Sequence, residues 1–202
     1  MNINYPNGRK NKIASGPKKQ APAHKHISYG KRGMSLEEDI NLANAYYLAN
    51  GIAVIHKKPT PIQIVQVDYQ SRSTAVIKEA YFRQASTTDF NGICNGRHID
   101  FEAKETQSIT SFPLKNFHEH QIKHMKNVVQ HHGIAFVILR FSMTDEIFLL
   151  EGQHLFSYWE RMEKGGRKSI TKEEIMNCGH RLELGLHPRI DYLKPLRSIH
   201  SF

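Results

Sequence analysis

Two periodicities divide this chain. From Ser35, SLEEDINLANAYYLANG places Leu36, Ile40, Ala43 and Tyr47 on one face at helical spacing. Ser35 and Glu38 have capping-box spacing and Gly51 supplies a stop, so the segment predicts a capped helix. IAVIH (52–56) is apolar enough to predict a short buried strand. After Pro59 and Pro61 the pattern alternates in places, with Ile62 and Ile64, then Val67 and Tyr69. Alternation over 57–82 predicts a β-hairpin or a protruding pair of strands.

Residues 97–104 predict a strand, and NFHEHQIKHMKNVVQHHG from Asn116 predicts a helix closed by Gly133. IAFVILRF (134–141) and EIFLLEG (146–152) predict consecutive strands, the first apolar enough to be central in a sheet. A helix around Gln153–Lys164, a break at Gly165 and Gly166, a short capped helix from Thr171 and an irregular C-terminus complete the chain. No segment repeats. Helices alternating with strands in this order imply an α/β or α+β sheet protein.

Charge changes the picture at one end. The chain carries 28 Lys and Arg against 19 Asp and Glu, a net +9. Residues 1–33 hold eight of the basic residues (Arg9, Lys10, Lys12, Lys18, Lys19, Lys25, Lys31, Arg32) and no acid, leaving 28 − 8 = 20 basic and 19 acidic residues in 34–202. That composition implies a disordered basic arm attracting a polyanion, nucleic acid before an anionic membrane, or else a solubilising tail. The remainder, 34–202, is long enough for one globular domain. No apolar stretch follows the early basic residues as a signal peptide requires, and none spans a membrane, so a cytoplasmic protein is expected. Cys94 and Cys178 are too few and too far apart for a disulfide framework or a thiolate metal site.

The candidate chemistry lies in TTDFNGICNGRHIDFEAKE (87–105). Strand alternation turns Ile99, Phe101 and Ala103 one way and Asp100, Glu102 and Lys104 the other. Asp89 lies upstream across a glycine-containing turn, at Asn91-Gly92 and Asn95-Gly96, which folds the two segments into antiparallel neighbours and brings Asp89 beside Glu102. Adjacent carboxylates repel unless one is protonated or a cation lies between them, and a hard divalent ion such as Mg²⁺ or Mn²⁺ favours oxygen ligands of this kind. Lys104 is then placed to orient or deprotonate a water, or to neutralise charge building on a phosphate. In the following helix Phe117, Met125, Val128 and Val129 define an apolar arc that also contains Gln121. A buried glutamine needs a partner, either a metal or its water, or the backbone.

These residues resemble the restriction-endonuclease-like nuclease superfamily and, more closely, the RecU family of Holliday-junction resolvases from Gram-positive bacteria. The resemblance covers nearly the whole chain: YPNG, RGMSLEEDIN, IAVIHKKPTP, AVIKEAYF, STTDFNG, GRHIDFEAKET, SFPLKNFHEHQI, GGRKSI and PRIDYL. It implies a mixed central sheet flanked by helices, with a protruding β stalk at about 57–83. It implies a homodimer that cuts four-way junctions symmetrically with Mg²⁺ (Mn²⁺ substituting) in recombination and repair. Modulation of the strand-exchange recombinase, and contact with it and with the branch-migration machinery, are further implications. By matching position, Asp89 and Glu102 are metal carboxylates, Thr87 and Gln121 further metal-site positions, and Lys104 the transition-state lysine. The superfamily motif has Pro where Thr88 stands. On the stalk and at its base, Lys57, Lys58, Arg72, Lys78 and Arg83 are candidate phosphate contacts. Tyr81 or Phe82 either stacks on a base or packs in the core. A non-catalytic junction-binding or recombinase-modulating protein on the same fold is the alternative.

Two other signals are weak. HEHQIKH places His120 and His124 at i, i+4 but is not H-E-x-x-H, because Ile122 occupies the second His position. GGRKS (165–169) lacks the spacing of a phosphate loop.

Overall fold

The computed structural model describes residues 34–69, 71, 74–83 and 87–202. The expected arm, 1–33, and Arg72 lie outside the described residues. The chain runs α1 (Leu36–Ala49), β1 (Val54–Lys57), β2 (Ile62–Asp68), β3 (Val76–Phe82), β4 (Phe90–Cys94) and β5 (Arg97–Thr106). It continues with β6 (Ser111–Pro113), α2 (Glu119–Gln130), β7 (Ile134–Phe141), β8 (Glu146–Glu151) and α3 (Gly152–Glu163). The last elements are β9 (Ser169–Thr171), α4 (Lys172–Cys178), β10 (His180–Leu182) and α5 (Leu193–His200).

Six strands form a mixed sheet in the order β1-β4-β5-β7-β8-β10. Every neighbouring pair is antiparallel except β5 and β7, which run parallel. A parallel pair needs a crossover, and α2 supplies it. The apolar run of β7 follows from its place in the sheet. Phe136 and Ile138 face one core with α1 and α5, while Val137 and Leu139 face a second with α2, α3 and α4. With both faces covered, no position of β7 is exposed. In the first core the rings of Phe90, Phe101 and Phe136 stack across three neighbouring strands at 4.9 and 4.6 Å.

The capping box forms at α1. Ser35 Oγ accepts the Glu38 N–H at 3.3 Å, and the Ser35 N–H donates to Glu38 Oε2 at 2.8 Å. At the other end of the chain, Leu193 and Leu196 are buried on α5, where an irregular terminus is expected from sequence. Eight residues interrupted by Pro195, with no side-chain cap, give too little signal for a helix. The helix expected from Asn116 begins at Glu119, after a 3₁₀ turn over Leu114–Asn116. The three-residue strands β6 and β9, which pair with each other, escape a periodicity reading for the same lack of length.

Strands β2 and β3 form a ribbon of their own, with all residues exposed on both strands. Tyr81 is 60% and Phe82 83% exposed, so neither packs in the core.

The turn that brings β4 against β5 is Asn95-Gly96, both at positive φ (47° and 76°) as a two-residue hairpin requires. Asn91 and Gly92, expected to share the turning, lie inside β4 instead. Gly92 is needed there for close approach, since a Cβ would lie 2.1 Å from the Val54 carbonyl oxygen and 2.5 Å from Ile55 Cα. Gly92→Ala must push β1 away from β4. It is expected to destabilise the protein by about 1–3 kcal/mol in urea unfolding; an unchanged midpoint would contradict this packing.

Candidate active site

The register of β4 on β5 pairs Phe90 with Phe101, so the next residue, Asp89, falls opposite Glu102. The Asp89 N–H donates to Glu102 Oε2 at 3.1 Å. Glu102 itself has no exposed surface. Lys104, two residues along the same strand face, places Nζ 2.6 Å from Glu102 Oε1 as an ion pair without an aligned hydrogen bond. Burial, with the Asp89 side chain adding to it, pushes the Glu102 carboxyl up to about 8 against the pull of Lys104. The structure therefore brings Asp89, Glu102 and Lys104 together.

Thr87 is half-buried, with its hydroxyl donating to the Thr88 carbonyl at 3.4 Å. It shares with Asp89 a cavity of about 370 Å³ that Glu37, Lys57, Lys58 and Arg83 also line. Gln121 is buried at 4%, as its helical phase predicts, and its Oε1 accepts the His118 N–H at 3.1 Å. That bond caps the first turn of α2, a backbone role for the amide oxygen. The rings of His118 and His120 stack at 5.4 Å at this helix end. Burial, then His118 and Lys104, hold His120 below its ordinary value, so this end of α2 lies within the electrostatic reach of Lys104.

Asp100, on the Glu102 face of β5, is 1% exposed. Its Oδ2 accepts from Lys58 Nζ at 2.8 Å and lies 3.1 Å from His124 Nε2, and its Oδ1 accepts the Thr88 hydroxyl. This network is what sequence reasoning missed. The only signal for it was the placement of Asp100 on the Glu102 face, and the partners come from three other segments.

The candidate phosphate contacts divide. Lys57 pairs with Glu37 at 2.6 Å, Lys78 with Asp68 at 2.9 Å, and Arg83 Nε donates to Gln63 at 3.1 Å, all near or on the exposed ribbon. Lys58 instead turns inward to Asp100. Phe82 projects from the ribbon unburied, and the Tyr81 hydroxyl donates to Glu79 at 2.6 Å.

Among the described residues no cluster of three or more His, Cys, Asp or Glu could hold a metal. Two carboxylates, one of them buried and raised in pKa by that burial, still form a fitting seat for a hard cation that keeps several waters. A cation there would offset the burial, and the smaller effect of Asp89, that raise Glu102.

An unfolded glutamate titrates near 4.5 and Glu102 near 8, so across that window the metal-free folded protein retains a proton that the unfolded chain has lost. Stability in EDTA should therefore fall as pH rises from 4.5 to 8, by up to about 1.4 kcal/mol per pH unit. Glu102→Gln should flatten that slope in denaturant titrations across the window. Equal slopes in the two proteins would show that Glu102 is ionised throughout.

The family model for recombination protein U, RecU, matches residues 31–198. Proteins named Holliday junction resolvase RecU from Bacillus thuringiensis (strain Al Hakam), Bacillus cereus (strain AH820) and Bacillus anthracis are each 58% identical to this chain over 200 residues. The alignment covers 99% of this chain and 99% of each relative. With a fold that assembles Asp89, Glu102 and Lys104 and a match over nearly its whole length, this chain belongs to the RecU family.

Proposed function

We propose that this protein is an endonuclease that resolves four-way DNA junctions in recombination and repair, with Asp89 and Glu102 holding Mg²⁺ (or Mn²⁺) at each cleavage site. The observation that carries the site assignment is the fully buried Glu102 set against Asp89, with Lys104 2.6 Å away. A divalent cation bound there supplies an activated water and neutralises phosphate charge. Thr87 and Gln121 are the further oxygen donors of the site; one lone pair of the Gln121 oxygen already serves the helix cap. Lys104, beside Glu102, would steady the attacking water or offset charge on the scissile phosphate.

The fold is read as restriction-endonuclease-like, with the β2–β3 ribbon as its stalk. Exposed Phe82 and Tyr81 on that ribbon suit stacking on bases unpaired at the crossover, and Lys57, Lys78, Arg72 and Arg83 suit phosphates around it. A homodimer with two-fold symmetry presents two such sites to two equivalent strands. The basic arm, 1–33, adds non-specific attraction for DNA. The strand-exchange recombinase and the branch-migration machinery are the expected protein partners, and the cytoplasm the expected compartment. Among the described residues no helix is long and apolar enough to cross a membrane.

The test is cleavage of an end-labelled synthetic four-way junction and a matched linear duplex, with Mg²⁺ or with EDTA. Paired symmetrical nicks in the junction alone are expected, lost in EDTA and reduced about 100-fold or more by Asp89→Ala. Tight junction binding without cleavage would instead establish a non-catalytic junction-binding protein. Equal cutting of linear duplex would retain the nuclease and remove the junction.

A further inference from the structure

Sequence places Lys58 among candidate DNA contacts and Asp100 on the Glu102 face of the strand, but both are committed elsewhere in the fold. Each Asp100 oxygen is engaged: Oδ1 by the Thr88 hydroxyl, Oδ2 by Lys58 Nζ at 2.8 Å and His124 Nε2 at 3.1 Å, with His98 Nε2 at 3.8 Å. A carboxylate so surrounded has little left for a metal. The Lys58 side chain is 20% exposed and its ammonium also donates to Thr88 Oγ1 at 3.0 Å.

What these bonds enclose is Asp89. The Lys58 N–H donates to the Asp89 carbonyl at 2.7 Å, just past the end of β1. On the chain side, Thr88 precedes Asp89 and is held by both Lys58 and Asp100. Across the hairpin, Asp100 sits two residues before Glu102, the carboxylate that faces Asp89. His124 extends the same cluster to α2, the helix that carries Gln121. One buried carboxylate thus ties three separate chain segments together around the Asp89–Glu102 pair.

We propose that Asp100, Lys58 and Thr88 are positioning residues that fix the Asp89 carboxylate against Glu102 for cation binding, and that Lys58 is not a DNA contact. This rests on the reading of Asp89 and Glu102 as a cation site. A free loop entering β4 could turn Asp89 away from Glu102, and the network removes that freedom at the backbone on one side and at the neighbouring side chain on the other. Residues that orient ligands in this way change metal affinity by about 10- to 100-fold when lost. A lysine that touches phosphate instead changes DNA affinity and its salt dependence.

The experiment measures Mn²⁺ binding to the full-length protein without DNA, by the electron paramagnetic resonance of free Mn²⁺, and junction affinity in EDTA over a salt series. Lys58→Met and Thr88→Val are expected to weaken Mn²⁺ binding about 10-fold or more. Thr88→Ser, which returns the hydroxyl, should restore it. Junction affinity and salt slope of Lys58→Met should match the wild type. Because Lys58→Met alone leaves Asp100 short of its charge partner, Lys58→Met with Asp100→Asn is measured too, together with its melting temperature. Weak Mn²⁺ binding in a double variant of wild-type stability supports positioning; recovered Mn²⁺ binding there would reduce the network to a stability role and overturn it. Wild-type Mn²⁺ affinity in Lys58→Met, or weaker junction binding with a shallower salt slope, also overturns it. Asp89→Ala separates the two levels: if it binds Mn²⁺ as the wild type does, the cation site itself is misplaced and the positioning proposal falls with it. If Asp89→Ala loses Mn²⁺ while the Lys58 and Thr88 variants keep it, only the positioning proposal fails.

Discussion

A carboxylate with no exposed surface, in the middle of a sheet and facing a second carboxylate, is stable only if it holds a proton or has a cation beside it. Glu102 is in that position, and much of the surrounding structure can be understood from it. Lys104 supplies one positive charge at 2.6 Å, yet burial and Asp89 still hold the carboxyl at about 8. The protein therefore keeps at its centre a carboxyl held well above its ordinary range, a condition that a bound cation would relieve. Asp100, two residues back on the same strand face, has its oxygens engaged by a separate set of partners, Lys58, the Thr88 hydroxyl and His124.

The rest of the fold makes that arrangement rigid. On the opposite face of β5, Phe101 stacks between Phe90 and Phe136, so the strand that carries the charges is anchored by an aromatic row one residue out of phase. The Asn95-Gly96 turn fixes the β4–β5 register, and a slip of one residue would turn Glu102 into the aromatic core. Gly92 lets β1 approach closely enough for Lys58, just beyond it, to reach Asp89 and Asp100. The ribbon, by contrast, contributes nothing to either core and leaves Phe82 and Tyr81 to solvent.

The pairing of Asp89 with Glu102 could be read from sequence because it depends on local rules, a strand period of two and a two-residue turn. The burial of Gln121 followed from helical phase in the same way. Its oxygen's bond to the His118 N–H did not, since a histidine is a poor indicator of a helix start. The inward turn of Lys58 was illegible for a different reason. It depends on how β1 meets β4, a contact between segments more than thirty residues apart in the chain, and nothing in the pattern of HKKPTP distinguishes Lys58 from Lys57. Helix α5 was missed because its stability comes from burying Leu193 and Leu196 on the finished sheet rather than from its own eight residues. Spacing alone also could not decide whether Tyr81 and Phe82 were core residues; exposure on a free ribbon did.

The proposed cation seat at Asp89 and Glu102 is tested most directly by anomalous scattering from crystals of the wild-type protein soaked in Mn²⁺. A peak is expected between the carboxylates of Asp89 and Glu102, within bonding distance of both. A saturated crystal with no peak there, or with Mn²⁺ held only by the histidines at the start of α2, would contradict it.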